Sequence, residues 1–276
     1  MNARLERRAD PTKSGGSHSE QSPAGSAGRT RPARPRSGER APGPAERPRA
    51  VGHGRSALPD GLAARLYLLA LDPATGKLAS RSKLGLMLRA ATLVDLQLAG
   101  RLADEEGRVV LATPRPGGAS SAQAHLHLSP VSERMLAEIE AAGRKRWRYW
   151  VERHQRAAVG AVRDELVKAR LIDVERYRRF GVLPAERLTL RQPLVRRHLL
   201  HAALDTLRPA RLVTRVDLRD ATLAVLAAAG DLRLVLPKEQ RKRHKERLAQ
   251  LAVRVGPVAP ALRKALQKQA GAAAGG

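Results

Sequence analysis

The sequence predicts a mainly α-helical fold: one helical domain with two short β-hairpins, preceded by a disordered basic tail. Three observations carry that expectation. Apolar residues recur at helical spacing through most of residues 58–268. Two segments, Arg101–Ala112 and Asp173–Arg191, read as strand pairs instead. Residues 1–57 are Ser, Gly, Pro, Ala and Arg with almost no large apolar side chain, so they cannot bury enough surface to offset their ordering entropy.

The elements follow in chain order. Asp60 is a plausible N-cap for a helix Gly61–Leu71, with Leu62, Leu66 and Leu69 on one face. Asp72-Pro73-Ala74-Thr75-Gly76 is a turn, and Lys77–Lys83 a short basic loop. Leu84–Ala99 is a helix apolar nearly all round, ended at Gly100. Arg101–Ala103 and Val109–Ala112 should pair across the acidic turn Asp104–Gly107, before a loop Thr113–Ala124. Ser129-Pro130 opens a helix to Ala142. One long helix is expected over Lys145–Ile172, its apolar stripe running from Trp147 and Val151 to Leu166 and Ala169. Val182-Leu183-Pro184 and Leu188-Thr189-Leu190 are the better strand signals of the second hairpin. Leu194–Leu207 and Asp217–Ala229 are helices, the latter capped by Asp217 and stopped by Gly230. Asp231–Val253 is a further helical region interrupted at Pro237. Gln269–Gly276 is low in complexity and expected to fray. The long helix needs apolar partners on both sides, so 58–268 is read as one domain.

Composition narrows the function. Lys and Arg outnumber Asp and Glu by 52 to 26, a net charge of +26. A surplus of that size attracts polyanions, either nucleic acid or an anionic membrane surface. The tail shares in it and serves as a solubilising segment or a polyanion tether. Aromatic residues are only 2% of the chain, which disfavours binders that stack bases on exposed rings. The absence of cysteine excludes disulfides, thiolate nucleophiles and Cys-ligated metals. Uncharged apolar stretches such as Ala221–Gly230 run to about ten residues, half of what a bilayer span needs. The expectation is a soluble, cytoplasmic protein whose contact with membranes is peripheral.

No catalytic motif emerges. There is no glycine-rich phosphate loop, nucleophile elbow or paired-histidine metal helix, so neither an enzyme nor a cofactor is expected. His125 and His127 could face one side of an extended segment, but no third ligand stands at a metal-binding spacing. His198 and His201 sit beside Arg196 and Arg197 and read as a surface pair. No metal site is assigned.

The basic clusters are the stronger signal. Arg144, Lys145, Arg146 and Arg148 surround Trp147. Arg176, Arg178 and Arg179 flank Tyr177 and Phe180. Lys238, Arg241, Lys242, Arg243, Lys245 and Arg247 form the densest run. Arg156, Arg163 and Arg170 recur every seven residues along the expected long helix, ~10 Å apart. Glu152–Arg156 and Asp164–Lys168 are i,i+4 pairs that neutralise part of that surface. Arg89 differs from all of these. It stands among Leu84, Leu86, Leu88, Ala91 and Leu93, so its guanidinium must reach solvent, meet a carboxylate or meet a bound anion.

The run Leu88-Arg89-Ala90-Ala91-Thr92-Leu93-Val94-Asp95-Leu96-Gln97-Leu98-Ala99-Gly100-Arg101-Leu102 resembles the Golgi phosphoprotein 3 family, which has bacterial, notably actinobacterial, members. Thr75-Gly76-Lys77, Trp150-Val151-Glu152, Val162–Val167 and Gln192-Pro193-Leu194 fall in the matching order, over about 58–250. The resemblance implies a helical domain whose protruding hairpin mediates self-association. It implies a peripheral protein that binds phosphatidylinositol 4-phosphate or a similar anionic phospholipid and acts as a membrane adaptor. Its location would be the cytoplasmic face of the Golgi, or the plasma membrane for a bacterial member. Arg89 and Arg163 match two headgroup-binding basic positions. The family's tryptophan position falls on Ser80 and its other basic position on Gly160, so Arg81, Lys83 and Arg156 are the further candidates for charge. The alternative is a winged-helix nucleic-acid binder, with Leu84–Ala112 as helix and wing.

Overall fold

A computed structural model describes residues 58–112, 128–179 and 182–275. The basic tail, the Thr113–Ala124 loop, His125, His127 and Phe180 lie outside the described residues. The described chain is mainly helical, with ten α-helices and a few small antiparallel strand pairs.

The first helix, α1 (Leu62–Ala70), is buried on every side except at Arg65, rather than along one face. Asp60 does not cap it. The N-cap residue is Gly61, and the buried Leu62 amide, which has no partner within its own helix, donates to the Asp95 carboxylate, 2.6 Å away on another helix. A long-range carboxylate therefore satisfies an end that local sequence was expected to cap. The Asp72–Gly76 turn closes a minimal hairpin, β1 (Leu71–Asp72) with β2 (Lys77–Leu78), so the expected basic loop is partly strand.

Helix α2 (Arg81–Leu98) starts three residues earlier than expected and is the hub of the fold. It is buried without a break from Leu84 to Leu96 and packs against α1 and most of the later helices. The first predicted hairpin forms as β3 (Leu102–Glu105) and β4 (Arg108–Leu111). Glu106 and Gly107, both with positive φ (52° and 75°), make the two-residue turn whose twist suits a hairpin.

Helix α3 (Pro130–Ala142) has the expected Ser129 cap, whose hydroxyl accepts from the Ser132 amide at 3.3 Å. The single long helix over Lys145–Ile172 does not form. Lys145–Arg146 instead becomes β5, pairing with β4. Two helices follow, α4 (Trp147–Glu152) and α5 (Gln155–Lys168), broken at His154, which has φ 52°. The break lets the start of α5 press onto α2 at Gly85, where a Cβ would lie 2.2 Å from the Gln155 carbonyl oxygen. It also separates the expected Glu152–Arg156 pair. Glu152 instead meets Arg148 at 3.5 Å and Lys268 at 3.2 Å. Arg170 lies beyond α5 in a left-handed conformation, so the seven-residue arginine stripe stops at Arg163.

The second hairpin is β6 (Ile172–Arg179) with β7 (Leu183–Leu190), in register from Ile172 opposite Leu190 outward. Helices α6 (Pro193–Asp205) and α7 (Leu218–Ala229) follow, and α7 carries the expected Asp217 cap on the Asp220 amide. No helix forms between Asp231 and Pro237; α8 (Lys238–Arg243) and α9 (Lys245–Val255) begin only after that proline. Helix α10 (Val258–Ala274) continues through Gln269–Ala274, the stretch expected to fray, and Gln269 donates to the Ser82 carbonyl at 2.7 Å. Among the described residues, no helix is long and apolar enough to cross a membrane.

Candidate functional site

Both family-implied arginines are on α-helices, but the structure puts them in different surroundings. Arg89 lies on the buried stretch of α2 and is only 5% exposed. Its Nε donates to the Trp150 carbonyl at 3.1 Å, and its Nη2 reaches Glu138 Oε2 on α3 at 2.9 Å. Of the three fates open to this guanidinium, the carboxylate is the one realised. Burial lowers its pKa, and Glu138 works against that shift. Here Arg89 ties α2 to α3 and to the end of α4.

Arg163 faces outward from α5. It lines a cleft of about 250 Å³ together with Arg81, from the first turn of α2. Tyr67 of α1 and Leu84 of α2 form part of the wall, and Val159 and Gly160 come from α5. Gly76 and Leu78 enter from the β1–β2 hairpin, Glu186 and Leu188 from β7. Arg89 is not part of this cleft, so the structure does not bring Arg89 and Arg163 together.

Arg163 is a paired cation. Its Nη1 meets Glu186 at 2.9 Å and its Nη2 meets Asp164 at 3.1 Å. Partial burial works against its charge, but Asp164 and Glu186 outweigh that effect and its pKa is raised. Glu186 is itself shared with Arg176 at 3.5 Å. Burial likewise pushes the Tyr67 hydroxyl up to about 12, against the opposing pull of Arg163. Arg81 is exposed, and no ion pair engages it among the described residues. An anion entering the cleft would find Arg81 ready and would compete with Glu186 for Arg163.

Two glycines shape this site. Gly76 has φ +66°, and a Cβ there would sit 2.8 Å from the Leu188 carbonyl oxygen, so the turn can lie directly against β7. The Leu188 amide completes that contact by donating to the Gly76 carbonyl at 3.1 Å. Gly160 is the opposite case: nothing lies within 4 Å of a Cβ added there, which leaves the cleft open at the position where the family resemblance calls for a basic side chain. Ser80, at the family's tryptophan position, has φ 51° and donates its hydroxyl to the Asp231 carbonyl at 3.2 Å. Lys83 is half-buried on the first turn of α2, and Arg156 is exposed at the start of α5; neither lines the cleft.

Sequence reasoning missed Tyr67, Gly76, Glu186 and Leu188. Each comes from an element distant in sequence, and only Gly76 carried a signal, as the last residue of a recognised turn. Other cations prove to be structural. Arg241 pairs with Asp231, Arg247 donates to the Thr206 carbonyl at 3.1 Å, and Arg254 binds the Val216 carbonyl at 2.9 Å. His198 and His201 are exposed, and among the described residues no group of three or more His, Asp or Glu side chains is placed to hold a metal.

A winged-helix reading requires an accessible recognition helix. Helix α2, the helix preceding the wing-like β3–β4, is buried from Leu84 to Leu96 and cannot enter a groove. The fold and site define a helical domain with a small cleft walled by two arginines and a tyrosine. The Golgi phosphoprotein 3 (GPP34) family matches residues 62–269, well over half of the chain, and the protein belongs to that family. No curated protein matches it.

Proposed function

We propose that the protein is a non-enzymatic peripheral membrane protein that binds the headgroup of an anionic phospholipid, a phosphoinositide such as phosphatidylinositol 4-phosphate or a close analogue. The observation that carries this reading is the pairing of Arg81 with Arg163 across one cleft in a member of this family. Arg81 and Arg163 would bind phosphate oxygens, and the fully buried, uncharged Tyr67 would back the cleft wall behind them. Arg89 acts at a distance, by fixing α2 against α3 and α4. Lys83 and Arg156 add positive charge beside the site, where each basic residue near an anionic surface contributes ~1 kcal/mol. Hairpin β6–β7 is the proposed self-association element, in line with the family, and an adaptor role on a cytoplasmic membrane face follows from the same resemblance.

The test is sedimentation with phosphatidylcholine vesicles that contain either a phosphoinositide or phosphatidylglycerol, at two salt concentrations and with duplex DNA as competitor. Binding that favours one lipid and survives DNA supports the reading. Equal binding to every anionic surface, removed by DNA with a steep salt dependence, would show that only the net charge is at work.

A further inference from the structure

A second surface feature lies away from the Arg81–Arg163 cleft. It is a trough of about 270 Å³ between the β3–β4 turn, the start of α4 and the first turns of α10. Its floor is apolar, made by Trp147 with Pro257, Pro260 and Ala261. Arg146, Arg148 and Lys264 stand on its rim, all exposed.

The surrounding charges are not balanced. The β4–β5 register sets Arg108 directly opposite Arg146. Like charges facing each other across a strand pair repel, so this arrangement works against the sheet. Most nearby carboxylates already have partners: Glu105 meets Arg144 at 2.9 Å, Glu152 meets Lys268 and the rim residue Arg148, and Asp104 accepts from the Trp147 indole. That leaves the exposed Glu106 of the β3–β4 turn as the one acidic side chain beside the trough without a partner among the described residues. Among the described residues Arg108, Arg146 and Lys264 have no ion-pair partner.

We infer that this trough binds an acidic, linear segment of a partner protein, one that carries an apolar side chain between its carboxylates. The guanidiniums match carboxylates in bidentate fashion, and cations on opposite walls suit successive acidic side chains. A phosphate headgroup would use those cations but leave the rigid floor of tryptophan and proline uncovered. An apolar side chain covers it and contributes burial as well as charge.

The test uses the full chain and a fluorescein-labelled peptide of alternating Glu and Leu, read by anisotropy. Trp147 supplies a second readout, because it borders the trough although only 3% exposed, whereas the chain's other tryptophan, Trp150, does not border it. The double charge reversal Arg146→Glu with Lys264→Glu should weaken the peptide about tenfold or more. Reversing Lys242 and Arg243, two exposed cations on α8, changes net charge equally and should leave affinity within about twofold. Replacing Leu by Ser in the peptide should also weaken it. Vesicle binding through the other cleft should be unaffected by the trough reversal, which separates this inference from the proposed lipid function. The inference is overturned if both charge reversals act alike, if the Ser peptide binds as well as the Leu peptide, or if the trough reversal abolishes vesicle binding while sparing the peptide.

Discussion

Arg89 and Arg163 are both matched by the family resemblance to headgroup-binding positions, yet the fold treats them in opposite ways. Arg89 is sunk in the central helix against Glu138 and the Trp150 carbonyl. Arg163 stands at the edge of a cleft, held by Asp164 and Glu186 and within reach of any anion that Arg81 attracts. The same contrast runs along α2, where Arg81 is exposed at one end and Asp95 is buried near the other. A charge in the interior is bound to its partner by the cost of desolvation. A charge at the rim can exchange partners, which suits it to meeting an incoming ligand.

The largest effect should come from breaking the interior pair. Arg89→Ala leaves the Glu138 carboxylate without its partner and should cost about 3 kcal/mol in denaturant unfolding, the low end of the range because Glu138 is 20% exposed. Arg163→Ala should cost less than about 1 kcal/mol. If Arg89→Ala unfolds like the wild type and loses only vesicle binding, Arg89 is a ligand-binding residue after all.

Asp95 gives a pH test of the same interior. Burial raises its pKa from 3.8 to about 7, against Arg219 at 3.2 Å and the Leu62 amide. The folded state therefore holds this proton more tightly than the unfolded state. Its contribution to stability is full below pH 3.8 and falls as pH rises through about 7. Asp95→Asn should remove that slope from a series of unfolding curves, and an unchanged slope would assign it to other groups.

At the rim the effects are smaller and appear in binding. Arg81→Ala with Arg163→Ala should weaken vesicle binding about tenfold, with unfolding curves shifted by less than about 1 kcal/mol. Gly160→Arg should strengthen binding about fivefold, since the added side chain meets no obstacle and restores a basic position. It should also stabilise α5 by up to about 1 kcal/mol, because glycine is a poor helix former. Glu186→Gln should tighten binding by about two- to fivefold, by removing the carboxylate that competes for Arg163. Weaker binding in Glu186→Gln would mean that Glu186 orients Arg163 instead of competing with the ligand.

Much of the fold was legible because it depends on local chemistry. Ser129 and Asp217 cap helices where they were expected to, and the Glu106-Gly107 turn folds the hairpin around it. The failures have one cause. The apolar stripe over Lys145–Ile172 is continuous in period, so nothing local announces the break at His154. That break is imposed by packing, which drives Gln155 onto Gly85 of α2. Asp60 looked like a cap, but Asp95, thirty-three residues beyond the Leu62 amide it accepts from, took the place.

The candidate site divides along the same line. Sequence alone determined the family, the helical class, the positive surplus and the short list of arginines, because composition and spacing survive without knowledge of contacts. Tertiary structure alone decided which arginine is committed to a carboxylate and which lines a cleft. It also brought Tyr67, Gly76 and Glu186 to Arg163 from three other elements. The reason is physical: desolvation and pairing depend on what lies within a few ångströms in space, and sequence spacing carries no record of which distant segment that will be.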